Sequence, residues 1–262
     1  MIIDFHTHVW PDAVARRALG GNIPDMSLFG DGTVAGLAQA QDEAAVDRSV
    51  CLAVANTAQQ LEAANGFVGM LDRSRFIPFG TVHPDAPADV NLGHLRANGV
   101  AGVKLHAIFQ GYRLDDPRLY DTLAALEGEF CVIAHVGEGG GSDGAPCTPR
   151  MVADIARAFP RLALVACHFG GFHRFAEAEQ ELAGLPVLVD TAWPPSLADL
   201  DPATVRERVR RHGVERVLFA SDWPTASPAA EIEAVRRLGL DDDEVSMVLG
   251  GNACALLGIT PQ

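Results

Sequence analysis

Short apolar runs of about strand length recur along the chain, alternating with longer segments whose apolar residues return every third or fourth position. The runs predict strands over 1–6, 48–54, 76–82, 101–106, 130–136, 162–168, 186–190 and 215–221. Several are apolar almost throughout, such as Phe130-Cys-Val-Ile-Ala134, Leu162-Ala-Leu-Val-Ala-Cys167 and Val217-Leu-Phe-Ala220. Strands read that way when helices cover both faces of a parallel sheet. The amphipathic segments predict helices near 57–73, 86–98, 116–127, 148–159, 172–183, 201–212 and 227–239. Pro117, Pro149 and Pro202 stand near three of their starts, where a missing N–H costs nothing. This alternation predicts an α/β fold, a (β/α)8 TIM barrel with right-handed crossovers, as one domain over residues 1–262. A doubly wound open sheet carries a Gly-rich phosphate turn after its first strand, whereas His6-Thr-His8 stands at that point here. The first connection, 9–47, is long and Gly-rich in its middle; only its end, 34–46, reads as helix, and it is expected to cover the barrel mouth. The segment 241–257 is expected to add a C-terminal helix.

Composition narrows the partners. Lys and Arg number 20 against 34 Asp and Glu, a formal net charge of -14, so no basic field is available to hold nucleic acid or an anionic membrane. A small-molecule substrate is the expected partner, and a homo-oligomer is compatible with the sequence. The five cysteines are scattered, mostly within apolar runs, and read as reduced core thiols, not a disulfide frame. The chain opens on a strand instead of a basic region followed by an apolar run, so the expectation is a cytoplasmic protein.

In a barrel of this kind catalytic groups come from the C-terminal ends of the strands. The first strand ends in His6 and His8, the third in His83, the fourth in Lys104 and His106, the fifth in His135, the sixth in His168 and the eighth in Asp222. Alternation puts Asp4, His6 and His8 on one face. Two imidazoles so spaced can grip one metal ion, with Asp4 beneath to orient a ring through its other nitrogen. Alternation also aligns His168 with Leu164 and Ala166, aligns Asp222 with Leu218 and Ala220, and turns Cys167 away from the pocket. One strand-end histidine is commonly a core residue or a cap; recurrence over five strands is harder to assign to packing. His94, His173 and His212 sit in helical or loop contexts and read as surface residues.

Asp4-Phe-His-Thr-His8, Gly102-Val-Lys-Leu-His106, His135-Val-Gly-Glu138, Cys167-His-Phe-Gly-Gly171, Ser221-Asp-Trp-Pro224 and Gly251-Asn-Ala253, taken in order, resemble the amidohydrolase superfamily. The nearest branch is the one that includes aminocarboxymuconate-semialdehyde decarboxylase. The resemblance implies one divalent metal ion, usually zinc (Mn2+ is the alternative), held by His6, His8, His135 and Asp222, with His168 catalytic near the metal-bound water. Three neutral imidazoles and one carboxylate leave such a site with a charge of about +1 and room for a water. Asp222 can take that water's proton and His168 can orient it or shuttle the proton. In binuclear members a carboxylated lysine on the fourth strand bridges two metals. Lys104 is either that residue or a buried cation on the pocket floor paired with an acid such as Asp4.

Trp10-Pro11, Trp193-Pro194 and Trp223-Pro224 follow strands one, seven and eight. A residue before proline is extended, so the three indoles read either as an aromatic wall on the rim or as plugs of the barrel mouth. The opposite, polar side is assigned to His83, Lys104, His106, Arg113 and Glu138. The Gly-rich loop 137–144 carries two acids and lacks the Gly-Lys-Ser/Thr ending of a phosphate cradle, so it reads as an edge of the active site.

The function these residues support is a metal-dependent hydrolase using an activated water on a small amide, lactone or ester. The alternatives are a non-oxidative decarboxylase of an aromatic or unsaturated carboxylic acid, with Arg113 as carboxylate fork, and a non-catalytic metal-binding barrel. Asp115 and Asp116 beside Arg113, and a chain shorter than such decarboxylases, tilt the expectation to hydrolysis.

Overall fold

The structure, a computed structural model, describes residues 1–20, 28–137 and 146–260. Its strands are β1 (Ile3–Thr7), β2 (Arg48–Leu52), β3 (Phe76–Thr81), β4 (Gly102–Leu105), β5 (Cys131–Ala134), β6 (Ala163–Ala166), β7 (Leu188–Asp190) and β8 (Val217–Leu218). They stand in chain order in one eight-stranded sheet. The pairing is parallel, with Gly102 opposite Cys131 and Cys131 opposite Ala163. Phe5 donates its N–H to the carbonyl of Phe219 at 2.9 Å, which returns the chain after β8 to β1. The chain is therefore a (β/α)8 barrel. All eight strands lie where the apolar runs place them, but most stop one to three residues earlier than the runs do. Polar residues that follow the runs have already left the sheet.

The chain divides into two compact units, Met1–Cys51 with Asp72–Phe76 and Asp190–Gln262, and Leu52–Leu71 with Ile77–Val189. The core of the first is built on Phe5, Leu37, Val217, Phe219, Ile232 and Val248, and that of the second on Phe79, Val103, Leu105, Val132, Ile133 and Leu164, all buried. The five cysteines are buried free thiols; burial pushes Cys51 and Cys131 up to about 12, so they stay protonated.

The helices are α1 (Asp12–Leu19), α2 (Val34–Ala44), α3 (Leu61–Gly69), α4 (Ala88–Ala97), α5 (Ala107–Gln110), α6 (Tyr120–Leu126), α7 (Pro149–Ala158), α8 (Phe175–Glu181), α9 (Pro202–His212), α10 (Pro228–Arg236), α11 (Asp242–Ser246) and α12 (Asn252–Leu257). Pro149 and Pro202 open α7 and α9, whose first turns are capped by Thr148 and Asp201. The long first connection departs from expectation, because α1 is helical as well as α2. Asp12 stands in the first turn of α1 and Arg16 and Arg17 in its last, the polarity a helix dipole favours, but Ala15 is its one buried side chain. So little apolar signal is why the pattern does not announce it. Among the described residues no helix is long and apolar enough to cross a membrane.

The C-terminal segment is helical as expected, with a capping box of Asp241 and Glu244 at its start. It passes through a π turn over Met247–Gly251. At that turn the Val248 carbonyl accepts the N–H of Phe219 at 2.9 Å. Asn252 follows, with Nδ2 donating to the carbonyls of Val214 and Val217, both at 2.7 Å. Those bonds fix the entry of β8. Asn252→Ala leaves the carbonyls without their donor, so stability is expected to fall by about 2 kcal/mol, or roughly 4–8 °C in Tm. Thermal melting monitored by circular dichroism measures it.

Candidate metal centre and catalytic residues

In the first unit, β1 and the turn after β8 are joined through the main chain. Asp222 donates its N–H to the His6 carbonyl at 2.9 Å, and His8 donates its own to the Trp223 carbonyl at 2.7 Å. Asp4 reinforces the joint: its Oδ1 accepts the N–H of Ser221 at 2.9 Å and that of His6 at 3.3 Å, and its Oδ2 accepts the Ser221 hydroxyl at 2.5 Å. Burial pushes the Asp4 carboxyl up to about 7, against the hydrogen bonds from Ser221 and His6 that favour its charged form.

This joint brings three donor atoms together. His6 Nε2 lies 3.1 Å from His8 Nε2 and 3.3 Å from Asp222 Oδ1, and His8 Nε2 lies 3.7 Å from Asp222 Oδ1. Zinc bonds of about 2.0–2.1 Å at tetrahedral angles set donor atoms about 3.3 Å apart, so the spacing fits one small divalent ion. The chemistry of the donors fits as well. His6 Nδ1 lies 2.9 Å from Asp190 Oδ2, both groups fully buried. A carboxylate there accepts the Nδ1 proton and leaves Nε2 as a bare lone pair aimed at His8 and Asp222.

The residue orienting His6 is therefore Asp190, not Asp4. Asp4 does share the face of His6, but it is engaged with main-chain N–H groups and Ser221. Asp190 ends β7, which like β2 carries no ligand or catalytic group in the sequence pattern. A lone acid closing Leu188-Val-Asp190 was the available signal.

The tryptophans divide. Trp10 is half-buried and stacks on His8 with ring centroids 6.0 Å apart and planes 21° from parallel. Trp193 and Trp223 are buried, whereas Trp10 offers a ring face beside a donor.

The second unit carries the remaining candidates. Lys104 is fully buried on β4 and donates from Nζ to Cys167 Sγ at 3.3 Å. Cys167 does not point away as alternation requires, because β6 ends at Ala166. His168 and Phe169 beyond it take left-handed conformations, φ 60 and 52. His168 Nε2 reaches His135 Nδ1 at 3.0 Å. On its other side His135 stacks on His106, centroids 4.4 Å apart and 9° from parallel, and His106 stacks on Phe109 at 4.0 Å and 12°. His135, His106 and His168 thus form one aromatic array at the ends of β4, β5 and β6.

His83 and Arg113 have other tasks. His83 Nδ1 accepts the N–H of Asp85 at 3.2 Å, which assigns the proton to Nε2, 3.3 Å from the Gln110 carbonyl. Both ring nitrogens are engaged by the scaffold, so His83 is not offered to substrate. Gln110, which the sequence reading passed over, is a hub. Its Nε2 donates to the carbonyls of Ala55 and Val82 at 3.0 and 2.8 Å, and its Oε1 accepts the N–H of His106 at 2.8 Å. Arg113 grips Asp115 in a bidentate pair at 3.0 and 3.1 Å on the surface. Its fork is filled, so it is not a pocket carboxylate clamp. Glu138 and the rest of the Gly-rich loop after Gly137 lie outside the described residues.

A (β/α)8 barrel whose first strand offers two histidines beside an aspartate after the eighth has the framework of a metal-dependent barrel enzyme. The amidohydrolase family model matches residues 3–259, and the chain belongs to that family. No curated protein matches it. Among solved structures it is similar to an uncharacterised TIM-barrel protein from Bordetella bronchiseptica, at 18% identity and a TM-score of 0.77 over 98% of each chain. A probable 2-pyrone-4,6-dicarboxylic acid hydrolase from Acinetobacter baumannii, with citric acid bound, matches at 17% identity and a TM-score of 0.70 over 98% of this chain and 99% of that one. A 5-carboxyvanillate decarboxylase from Novosphingobium aromaticivorans, with manganese and a nitrobenzoic acid bound, matches at 16% identity and a TM-score of 0.74 over 98% and 97%. These likenesses show the fold alone, and the family membership rests on the family model.

The role of Asp190 is directly testable. Asp190→Asn keeps the size of the side chain but removes the charge that fixes the His6 tautomer. Divalent-metal affinity is expected to fall about 10–100-fold while the melting temperature of the metal-free protein changes little. Competition against a chromogenic chelator reads the first and calorimetry the second; unchanged affinity would separate Asp190 from the donor set.

Proposed function

We propose that the protein is a metal-dependent hydrolase of a small amide, lactone or ester, with zinc as the ion. The observation that carries this reading is the cluster of His6 Nε2, His8 Nε2 and Asp222 Oδ1, with Asp190 behind His6. Nitrogen-rich, compact donor sets suit zinc better than the all-oxygen sets preferred by magnesium or calcium. The family resemblance implies His135 as a further ligand. A divalent ion held by these residues supplies hydroxide at neutral pH and polarises a carbonyl.

The chain's own groups do the rest. Asp222 is the acceptor for the proton of the attacking water and passes it to the leaving group. His168, whose Nε2 meets His135 Nδ1, orients the reacting groups or relays that proton. Trp10, stacked on His8, presents an apolar face to the acyl portion of the substrate. Lys104, whose Nζ donates to Cys167 Sγ, serves as a pocket-floor residue.

Hydrolysis is preferred to decarboxylation because of Arg113. A decarboxylase must grip a carboxylate until carbon dioxide leaves, and the guanidinium best suited to that is bound to Asp115. The non-catalytic alternative gives His168 no task, although its left-handed backbone is costly.

Elemental analysis of the purified protein is expected to find close to one zinc per chain, and His6→Ala or His8→Ala to remove most of it. His168→Ala should retain the metal while turnover of the best substrate in an ester, lactone and amide panel falls roughly 100-fold. Arg113→Ala should leave that turnover within about twofold of wild type. Metal-dependent carbon dioxide release from aromatic acids that is lost in Arg113→Ala, without hydrolysis anywhere in the panel, reverses the assignment. Two ions per chain would establish the binuclear alternative.

A further inference from the structure

The end of the long first connection, residues 28–33, is fastened to the two elements that carry His8 and Asp222. Phe29 and Gly30 both donate their N–H groups to the Pro224 carbonyl, at 2.8 and 3.0 Å. Two residues on, the Gly32 carbonyl accepts the N–H of Trp10 at 2.9 Å. Thr33 then pairs with Trp10 in an isolated parallel bridge and caps α2 by accepting the Gly36 N–H at 2.9 Å. Asp31 Oδ1 holds Thr33 through its N–H and its hydroxyl, both at 2.9 Å. The segment is thus a strap fixed at both ends.

At its centre Gly30 lies against the indole of Trp223. A Cβ placed on Gly30 would come within 2.5–2.6 Å of Cε2, Nε1 and Cζ2 of that ring. Only a residue without a side chain lets the strap close onto the indole at this distance. The ring is 1% exposed, and its Nε1 has no hydrogen-bond partner among the described residues. Among the described residues no hydrogen bond fixes the ring, and Gly30 of the strap is one of the surfaces it packs against.

The main chain of Trp223 is in turn tied to the donors. It directly follows Asp222, its carbonyl accepts the His8 N–H at 2.7 Å, and its own N–H donates to Ser221 Oγ at 3.0 Å. Displacing the indole displaces the peptide units that hold Asp222 and His8.

We propose that residues 28–33 act as a clamp, with Gly30 and Trp223 as positioning residues that hold Asp222 and His8 at ligating distance. The long first connection is on this account a working part of the metal centre. The inference rests on the metal-centre reading above, extending it to residues that touch neither metal nor substrate.

The test is a double-mutant cycle on zinc affinity, measured by chelator competition on the full-length protein, with melting of the metal-free forms as control. Gly30→Ala is the probe, because the three atoms nearest the added methyl all belong to the indole. It is expected to weaken zinc binding about 10–100-fold. Trp223→Leu ends before the positions of Cε2, Nε1 and Cζ2 that the methyl meets, so in that background Gly30→Ala should be neutral or restore affinity. This comparison holds even if Gly30→Ala alone folds poorly, since it is made in the variant with room for the methyl. Wild-type affinity in Gly30→Ala, or an equal loss from Gly30→Ala in both backgrounds, overturns the clamp while leaving the metal centre intact. A wild-type protein that binds no zinc overturns the metal centre, and the clamp with it.

Discussion

The candidate metal centre depends on a short main-chain junction between β1 and the turn after β8. His6 accepts from Asp222 and His8 donates to Trp223, so the three donor residues are spaced by peptide hydrogen bonds before any side chain is placed. Backbone bonds of this kind do not adjust to one side chain, which makes them a better jig than a loop. Asp4 locks the junction by accepting two N–H groups and the Ser221 hydroxyl. Burial and hydrogen bonding act in opposite directions on Asp4, and burial prevails. Its carboxyl is consequently a structural acceptor more than a reservoir of charge.

Three aspartates serve this junction in three different ways. Asp4 holds the main chain, Asp190 meets a ring nitrogen of His6, and Asp222 offers an oxygen beside two imidazole nitrogens. Identical side chains diverge because their partners differ in kind: main-chain and hydroxyl donors for the first, an imidazole N–H for the second, lone pairs for the third. Lone pairs facing one another at 3.1–3.7 Å repel unless a proton or a cation stands between them. The arrangement is thus complementary to a cation, and the negative charge behind His6 makes its donor nitrogen more basic.

The apolar runs made the barrel legible because a strand covered on both faces leaves an unbroken hydrophobic signature. His6, His8 and Asp222, which the family resemblance grouped, lie side by side because β1 and the turn after β8 are bonded to each other. Asp190 was harder to see. Its partner is 184 residues away, and periodicity along a strand tells which face a residue occupies but not which nitrogen it meets. The same gap gave Asp4 the place behind His6 that Asp190 occupies. Arg113 was ambiguous in the sequence for a local reason, Asp115 two positions on, and the bidentate pair resolves it. Helix α1 was missed because its one buried side chain leaves no stripe to detect, and Gln110 because an amide hub is recognised only by the carbonyls around it.

Strand alternation failed just where chemistry begins. The expected alignment of His168 with Ala166, and of Asp222 with Ala220, assumed that β6 and β8 continue to those residues; both strands stop short. Asp222 has φ 58 and His168 φ 60, a conformation costing a non-glycine residue about 1–2 kcal/mol. Each is held there by its neighbours. Thr225 donates to the Asp222 carbonyl through its N–H and its hydroxyl, at 2.9 and 2.6 Å, and Gly171 donates to that of His168 at 3.0 Å. Glycine would satisfy the same hydrogen bonds without the steric cost, so the backbone alone gives no reason for a histidine or an aspartate at these turns. The reason lies in the side chains: a left-handed residue directs its Cβ where neither face of a strand can. In this chain that direction places a carboxylate beside His6 and His8, and an imidazole against His135.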